Sequence, residues 1–140
     1  MNGTATDIPL GDRLDILDLY ARQSHAVDAA HGELWAATFT EDGVFESPTY
    51  GLTARGRREL ADFARMSNKT AEGRGERFRH RVSEIVLTRV GDDRVDVVAY
   101  LMITATGTEG TRIDRSLVTH DALRKVDHRW LVQSRQTFRD

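Results

Sequence analysis

The sequence predicts an α+β domain in which helices come first and a long curved sheet follows. Three observations carry this. The chain opens on an amphipathic stretch, LGDRLDILDLYARQSHAVD over Leu10–Asp28, with helical spacing of its apolar residues. Two shorter helical patterns come next. From Arg77 onward, long alternating segments are separated by short turns, which makes an antiparallel meander. There are no repeats and no low-complexity segments, and helices followed by strands define an α+β domain. A bent sheet closed by an N-terminal helix leaves a cone-shaped cavity, the natural place for a ligand.

The totals bound the function. The chain has 140 residues, enough for one domain with one core. Its 39% hydrophobic and 30% charged content suits a soluble globular protein. A net charge of −2 does not favour a nucleic-acid partner. With no cysteine, disulfide and thiol chemistry are excluded. No apolar run of about 18 residues is present, so no membrane span is expected. The polar start MNGTATDIP is not a secretory signal, which leaves a cytoplasmic location as the expectation.

Taken in order, residues 1–9 read as a loose tail and residues 10–140 as a single domain. Helix one is expected from Leu10 to about Ala30, with His31 and Gly32 breaking it. A helix over GELWAATF follows, with Leu34, Trp35 and Phe39 on one face. TEDG reads as a turn, GVFES as a short strand ended by Pro48. A third helix is expected from Gly56 to Met66, with Leu60, Phe63 and Ala64 inward and Arg55, Arg57 and Arg58 on a solvated surface. SNKTAEGRGE then reads as a loop able to act as a lid. The long strands are RFRHRVSEIVLTRV, with a bulge near Ser83 and Glu84, then RVDVVAYLMITAT, RIDRSLVTHDALRKV and WLVQSRQTF. Trp130 is assigned to packing.

One carboxylate stands out. With Leu14 at zero and about 100° per residue, Leu10, Ile16, Leu17, Tyr20, Ala21 and Val27 share an arc, and Asp28 falls inside it. A buried carboxylate is costly without a partner. On the strand from Arg77, the arginines 77, 79 and 81 form one row and Phe78, His80 and Val82 the other, so His80 points inward. Among the five histidines no other is placed inward so clearly. His25 lies toward a polar face, His31 and His128 lie in turns, and His120, alternating with Val118 and Ala122, is a weaker candidate for the interior. An inward Asp28 and an inward His80 satisfy each other and make a competent general acid or base. Two plainer arrangements stay open: Asp28 capping the next helix or pairing with a core arginine, and His80 as a hydrogen-bonded core histidine. Leu17, Trp35, Phe39, Phe63, Phe78 and Met102 are expected around the cavity.

Other chemistries lack their motifs. There is no HExxH and no pair of histidines at helical spacing, so no metal site is expected. Neither GxGxxG nor a P-loop occurs. Ser24, Ser47, Ser116 and Ser134 have no nucleophile-elbow context.

The blocks DLYARQSHAVDAAHGELWAATFTEDGVFESP, GRREL, RFRH and RWLVQSR resemble the SnoaL-like and scytalone-dehydratase-like branch of the nuclear transport factor 2-like superfamily, over residues 10 to 139. The resemblance implies a cone-shaped, cystatin-like α+β barrel with a mixed, mainly antiparallel sheet around the N-terminal helix, often a homodimer. It implies a cofactor-free lyase or isomerase, a dehydratase or polyketide-type cyclase, acting on a hydrophobic oxygenated small molecule. The dyad of scytalone dehydratase, the bile-acid 7α-dehydratases and hexachlorocyclohexane dehydrochlorinase falls on Asp28 and His80. The resemblance also makes Tyr20 a hydrogen-bond donor to substrate and Arg135 a substrate contact. Where scytalone dehydratase has a second histidine on the following strand, this chain has Tyr100. Where ketosteroid isomerases carry a carboxylate base, it has Ser47, with Glu46 on the opposite face of the strand. The Asp-Arg-Asp set of limonene epoxide hydrolase is not evident. A non-catalytic binding domain, like the β subunits of ring-hydroxylating dioxygenases, is the alternative on the same fold.

Overall fold

The computed structural model describes residues 7–140. Three helices, α1 (Leu10–Asp28), α2 (Gly32–Ala36) and α3 (Gly56–Gly73), pack on a sheet. Its six strands are β1 (Phe39–Ser47), β2 (Leu52–Arg55), β3 (Arg77–Gly91), β4 (Arg94–Gly107), β5 (Gly110–Val126) and β6 (Arg129–Arg139). The order across the sheet is β2-β1-β6-β5-β4-β3. β1 runs parallel to β6 and every other neighbouring pair is antiparallel. The sheet is therefore mixed, and it stays open, since β2 and β3 are its two edges.

The strands bend where the ladder slips. On β3 the register shifts between Ser83 and Val86, and Glu84 has φ 52°. This is the expected bulge. It returns Ile85 and Leu87 to the face shared by Phe78, His80 and Val82, where strict alternation would have turned Glu84 inward. β5 bulges at Asp114, opposite Ile103 and Thr104 of β4. In β1 the slip lies between Phe39 and Val44. There Gly43 is required by close approach, because a Cβ would sit 2.8 Å from the Phe39 Cβ and 2.9 Å from the Thr40 carbonyl oxygen. The expected TEDG turn is thus a distortion inside a strand.

Several boundaries differ from the sequence reading. Of the expected tail over 1–9, residues 1–6 lie outside the described residues, and Ile8 is buried in the core. α2 stops at Ala36, and Phe39 opens β1 instead of ending a helix. β2 was not anticipated. α3 continues through Gly73, so most of the expected loop is helix: Ala71 packs inward and supplies the apolar spacing that the polar composition hides. Arg57 is not simply solvated, since its Nε and Nη2 donate to the Phe39 carbonyl at 3.2 and 2.8 Å.

The largest correction concerns the face of α1. Its buried residues are Ile16, Leu19, Tyr20, Gln23 and Val27. Leu10, Leu14 and Leu17 are exposed, Leu17 by 46%. The count of leucines points the wrong way because the inward side includes Gln23, whose amide is buried against polar partners.

Candidate active site

The hollow of the sheet, roofed by α1 and α3, encloses a cavity of about 490 Å³. At one end its wall is aromatic: Trp35, Phe45 and Phe63 converge, with Phe45 and Phe63 ring centroids 4.5 Å apart. Val27, Val82, Leu101 and Ile103 extend the apolar lining. At the mouth, the Arg74 and Arg115 guanidinium groups lie 5.8 and 5.9 Å from the Phe78 ring centroid. Asp114 binds Arg74, Arg112 and Arg115 there.

His80 forms part of this wall, and Asp28 stands behind it. The His80 Nδ1 is 2.7 Å from Asp28 Oδ1. The backbone N–H of His80 donates to both carboxylate oxygens at 3.2 Å. The side chains are only 16% and 9% exposed. A carboxylate accepts and does not donate, so Nδ1 carries a proton, and in the neutral ring Nε2 is then the nitrogen with the free lone pair. Asp28 itself is held by the end of α1. The N–H of His31 donates to the Ala26 carbonyl at 2.9 Å and that of Ala30 to the Val27 carbonyl at 3.3 Å, a Schellman arrangement with Ala30 at φ 63°. Asn68 of α3 adds a bond to the Val27 carbonyl at 2.8 Å.

A second polar cluster sits at the inner wall, and no pattern in the sequence marks its centre. Asp121 is buried on β5 and accepts from Arg135 Nε at 2.9 Å and Nη2 at 2.8 Å, from Thr119 at 2.9 Å, and from the Tyr20 hydroxyl. Arg135 Nη2 also reaches Gln23 Oε1 at 2.7 Å, and Gln23 donates to Thr38 at 2.8 Å. Burial, and next the Asp121 carboxylate, push the Tyr20 phenol well above its ordinary pKa. For Arg135, burial works to lower the pKa, but Asp121 outweighs it and the guanidinium is held above its usual value. The strand alternation of Leu117, Thr119, Asp121 and Leu123 contains this inward carboxylate, but a single acid in a charged segment does not announce itself.

The sequence-derived site residues divide accordingly. His80, Trp35, Phe78, Tyr20 and Arg135 line the cavity, and Asp28 lies one contact behind. Tyr20 departs from its expected role, since its single proton is given to Asp121 and is not free for a ligand oxygen. Phe39 is fully buried beside Trp35, 4.8 Å between centroids, and does not reach the cavity wall. Tyr100 and Met102 are 56% and 38% exposed on the convex face, because the inward row of β4 is Val95, Val97, Ala99, Leu101 and Ile103. Leu17 is likewise outside. His120 is exposed too, edge-on to Phe138 at 5.6 Å. Among the described residues, no group of three or more His, Cys, Asp or Glu side chains is placed to hold a metal ion, and no helix is long and apolar enough to cross a membrane.

An open mixed sheet bent around an N-terminal helix is the nuclear transport factor 2-like, cystatin-like fold. The chain belongs to the SnoaL-like domain family, whose profile matches residues 9–136. A protein of unknown function from Mycobacterium tuberculosis is 31% identical, with TM-score 0.80 over 92% of this chain and 72% of that one. A Catenulispora acidiphila protein, solved in complex with S-DNPA, is 29% identical, with TM-score 0.79 over 94% and 96%. A Nostoc punctiforme protein of unknown function with a cystatin-like fold is 26% identical, with TM-score 0.78 over 95% and 94%. No curated protein matches the chain in sequence.

Proposed function

We propose that this protein is a cofactor-independent lyase or isomerase, a dehydratase or cyclase, for a hydrophobic oxygenated small molecule. The observation that carries the reading is the 2.7 Å contact between Asp28 and His80, with His80 on the wall of a largely apolar cavity. His80 Nε2 takes a proton from carbon beside a carbonyl, and Asp28 stabilises the imidazolium that forms. The carbanion electrons then expel a hydroxyl, to which His80 returns the proton as water leaves. In a cyclisation the same electrons attack an internal carbonyl carbon, its C=O π bond opens, and His80 returns the proton to the alkoxide that forms. Both reactions are redox-neutral and restore His80. That the similar Catenulispora acidiphila protein is solved in complex with S-DNPA supports small-molecule binding by this fold.

The test uses 2-tetralone, a two-ring ketone with acidic protons at C1. The wild-type protein accelerates exchange of those protons for deuterium, followed by NMR, beyond an equal concentration of imidazole. His80→Ala loses the acceleration and still binds the ketone. Binding without exchange in the wild type overturns the enzyme reading and leaves a binding domain.

A homodimer is part of the same reading. Val98, Tyr100 and Met102 of β4, with Ile113 and Phe138, expose apolar surface on the convex side of the sheet. Contiguous surface of this kind marks association sites.

A further inference from the structure

Ser47 is buried, 3% exposed, on the cavity wall, and its hydroxyl has no hydrogen-bond partner among the described residues. Of the other buried hydroxyls near it, those of Tyr20 and Thr119 donate to Asp121, and that of Thr38 donates to the Trp35 carbonyl at 2.5 Å. A buried hydroxyl without a partner is costly, and alanine would fill the same place without that cost. The main chain at Ser47 is fixed. Its carbonyl accepts from the Tyr50 N–H at 3.1 Å across a turn that contains Pro48. The side chain is therefore held toward the cavity by the backbone.

Its neighbours define what it meets. Phe45 pairs with Arg135 and Glu46 with Gln136, so Thr137 is next in line beside Ser47. Thr137 is also buried and also lines the cavity. The two form a polar ledge at the end of β1 and β6. β1 and β3 are separated in the sheet by β6, β5 and β4, so the ledge and His80 stand on opposite flanks of the hollow. Ser47, Thr137 and His80 nevertheless line one and the same cavity, so a single ligand in it meets both flanks.

We propose that Ser47, with Thr137 beside it, binds an oxygen substituent of the ligand remote from the carbon that faces His80. The ligand is then a compound with oxygen at both ends, a ketone toward His80 and a hydroxyl or second carbonyl toward Ser47. This rests on the proposed function for the end that reacts, but not for the end that is anchored.

The probes are 2-tetralone and 6-hydroxy-2-tetralone, which differ only in a hydroxyl on the far ring. The wild type binds the hydroxylated probe about five- to tenfold more tightly, the value of one neutral hydrogen bond. Ser47→Ala binds both equally and melts no lower than the wild type, since it removes an unpartnered group. His80→Ala keeps the preference. If Ser47→Ala retains the preference, or weakens both probes alike with a lower Tm, Ser47 is structural and the proposal falls. A wild type that shows the Ser47-dependent preference without C1 exchange upholds the anchor and overturns the base. Exchange without any preference does the reverse, and failure of both probes to bind overturns both readings.

Discussion

The Asp28 carboxylate binds His80 twice, at ring Nδ1 (2.7 Å) and at the backbone N–H (3.2 Å). One group therefore sets both the ring orientation and the path of β3 beneath it. That double contact ties the last turn of α1 to the first long strand.

The first prediction follows from the tautomer. Asparagine in place of Asp28 keeps the size but offers an amide that suits either ring tautomer and cannot stabilise an imidazolium. Asp28→Asn lowers the rate of 2-tetralone exchange by about 10²- to 10⁴-fold, with less than threefold change in affinity. Nitrogen-15 NMR of the wild type shows His80 with the proton on Nδ1. A ring protonated at Nε2 alone would remove the base from the mechanism.

The Tyr20–Asp121–Arg135 cluster is predicted to act on stability rather than turnover. Asp121→Asn leaves a buried guanidinium without its counter-charge and costs about 3–5 kcal/mol. Asp121→Leu combined with Arg135→Met costs less than the single change, because no charge is then stranded. Tyr20→Phe removes one bond to a carboxylate, about 1.5–3 kcal/mol, and leaves exchange within threefold of wild type. Urea unfolding measures all three. A large loss of exchange in a stably folded Tyr20→Phe protein would return Tyr20 to the catalytic set.

The sequence made the Asp28–His80 meeting legible through β3, not through α1. The alternation of arginines with Phe78, His80 and Val82 is local and unambiguous, and the structure follows it. The helical arc that singled out Asp28 was centred on leucines that prove exposed, and Asp28 lies at the margin of the true buried face. What brings it inward is the terminal turn, Ala30 at positive φ and Asn68 from α3, which depends on tertiary contacts. Tyr100 and Met102 were misplaced because β4 is apolar on both faces, so period two gives no direction. Asp121 was missed because its partners, Tyr20 and Arg135, are 101 and 14 residues away.

Acid should weaken the fold through two carboxylates. Burial acts to raise the Asp12 pKa, but hydrogen bonds from Trp130 and Lys125 outweigh it and hold it low. Burial likewise acts to raise the Asp114 pKa, but Arg112, Arg115 and Arg74 outweigh it and hold it low. A carboxyl whose folded pKa is depressed stabilises above its unfolded value, about 4, and that contribution is lost as pH falls through the folded value. Stability therefore drops below about pH 4, and Asp12→Asn with Asp114→Asn shows a shallower drop from a lower start. Urea titrations at stepwise lower pH decide this; an unchanged acid slope in the double variant would assign the drop elsewhere.

The convex face gives a prediction about assembly. Tyr100→Glu with Met102→Glu puts two charges on the exposed apolar rows of β4. If that face joins two copies, sedimentation shows a dimer for the wild type and a monomer for the variant, with the cavity intact by 2-tetralone binding. A stable dimer needs a contact of at least about 1,000 Å². A wild type that sediments as a monomer rules the dimer out.

Ala30 supplies the last prediction, because it sits where glycine is usual. At φ 63° its methyl group crowds the following carbonyl, a cost of about 1–2 kcal/mol that glycine avoids. Against this, glycine gains freedom in the unfolded chain, worth about 0.4–1 kcal/mol. At the midpoints of these ranges the difference favours Ala30→Gly by about 0.8 kcal/mol, seen as a higher urea midpoint. The Schellman bonds from Ala30 and His31 use backbone groups alone, so they survive the change. Asp28 then stays in place and exchange is unaltered. A more stable protein with slower exchange would instead mean that the methyl group at Ala30 helps to position the carboxylate.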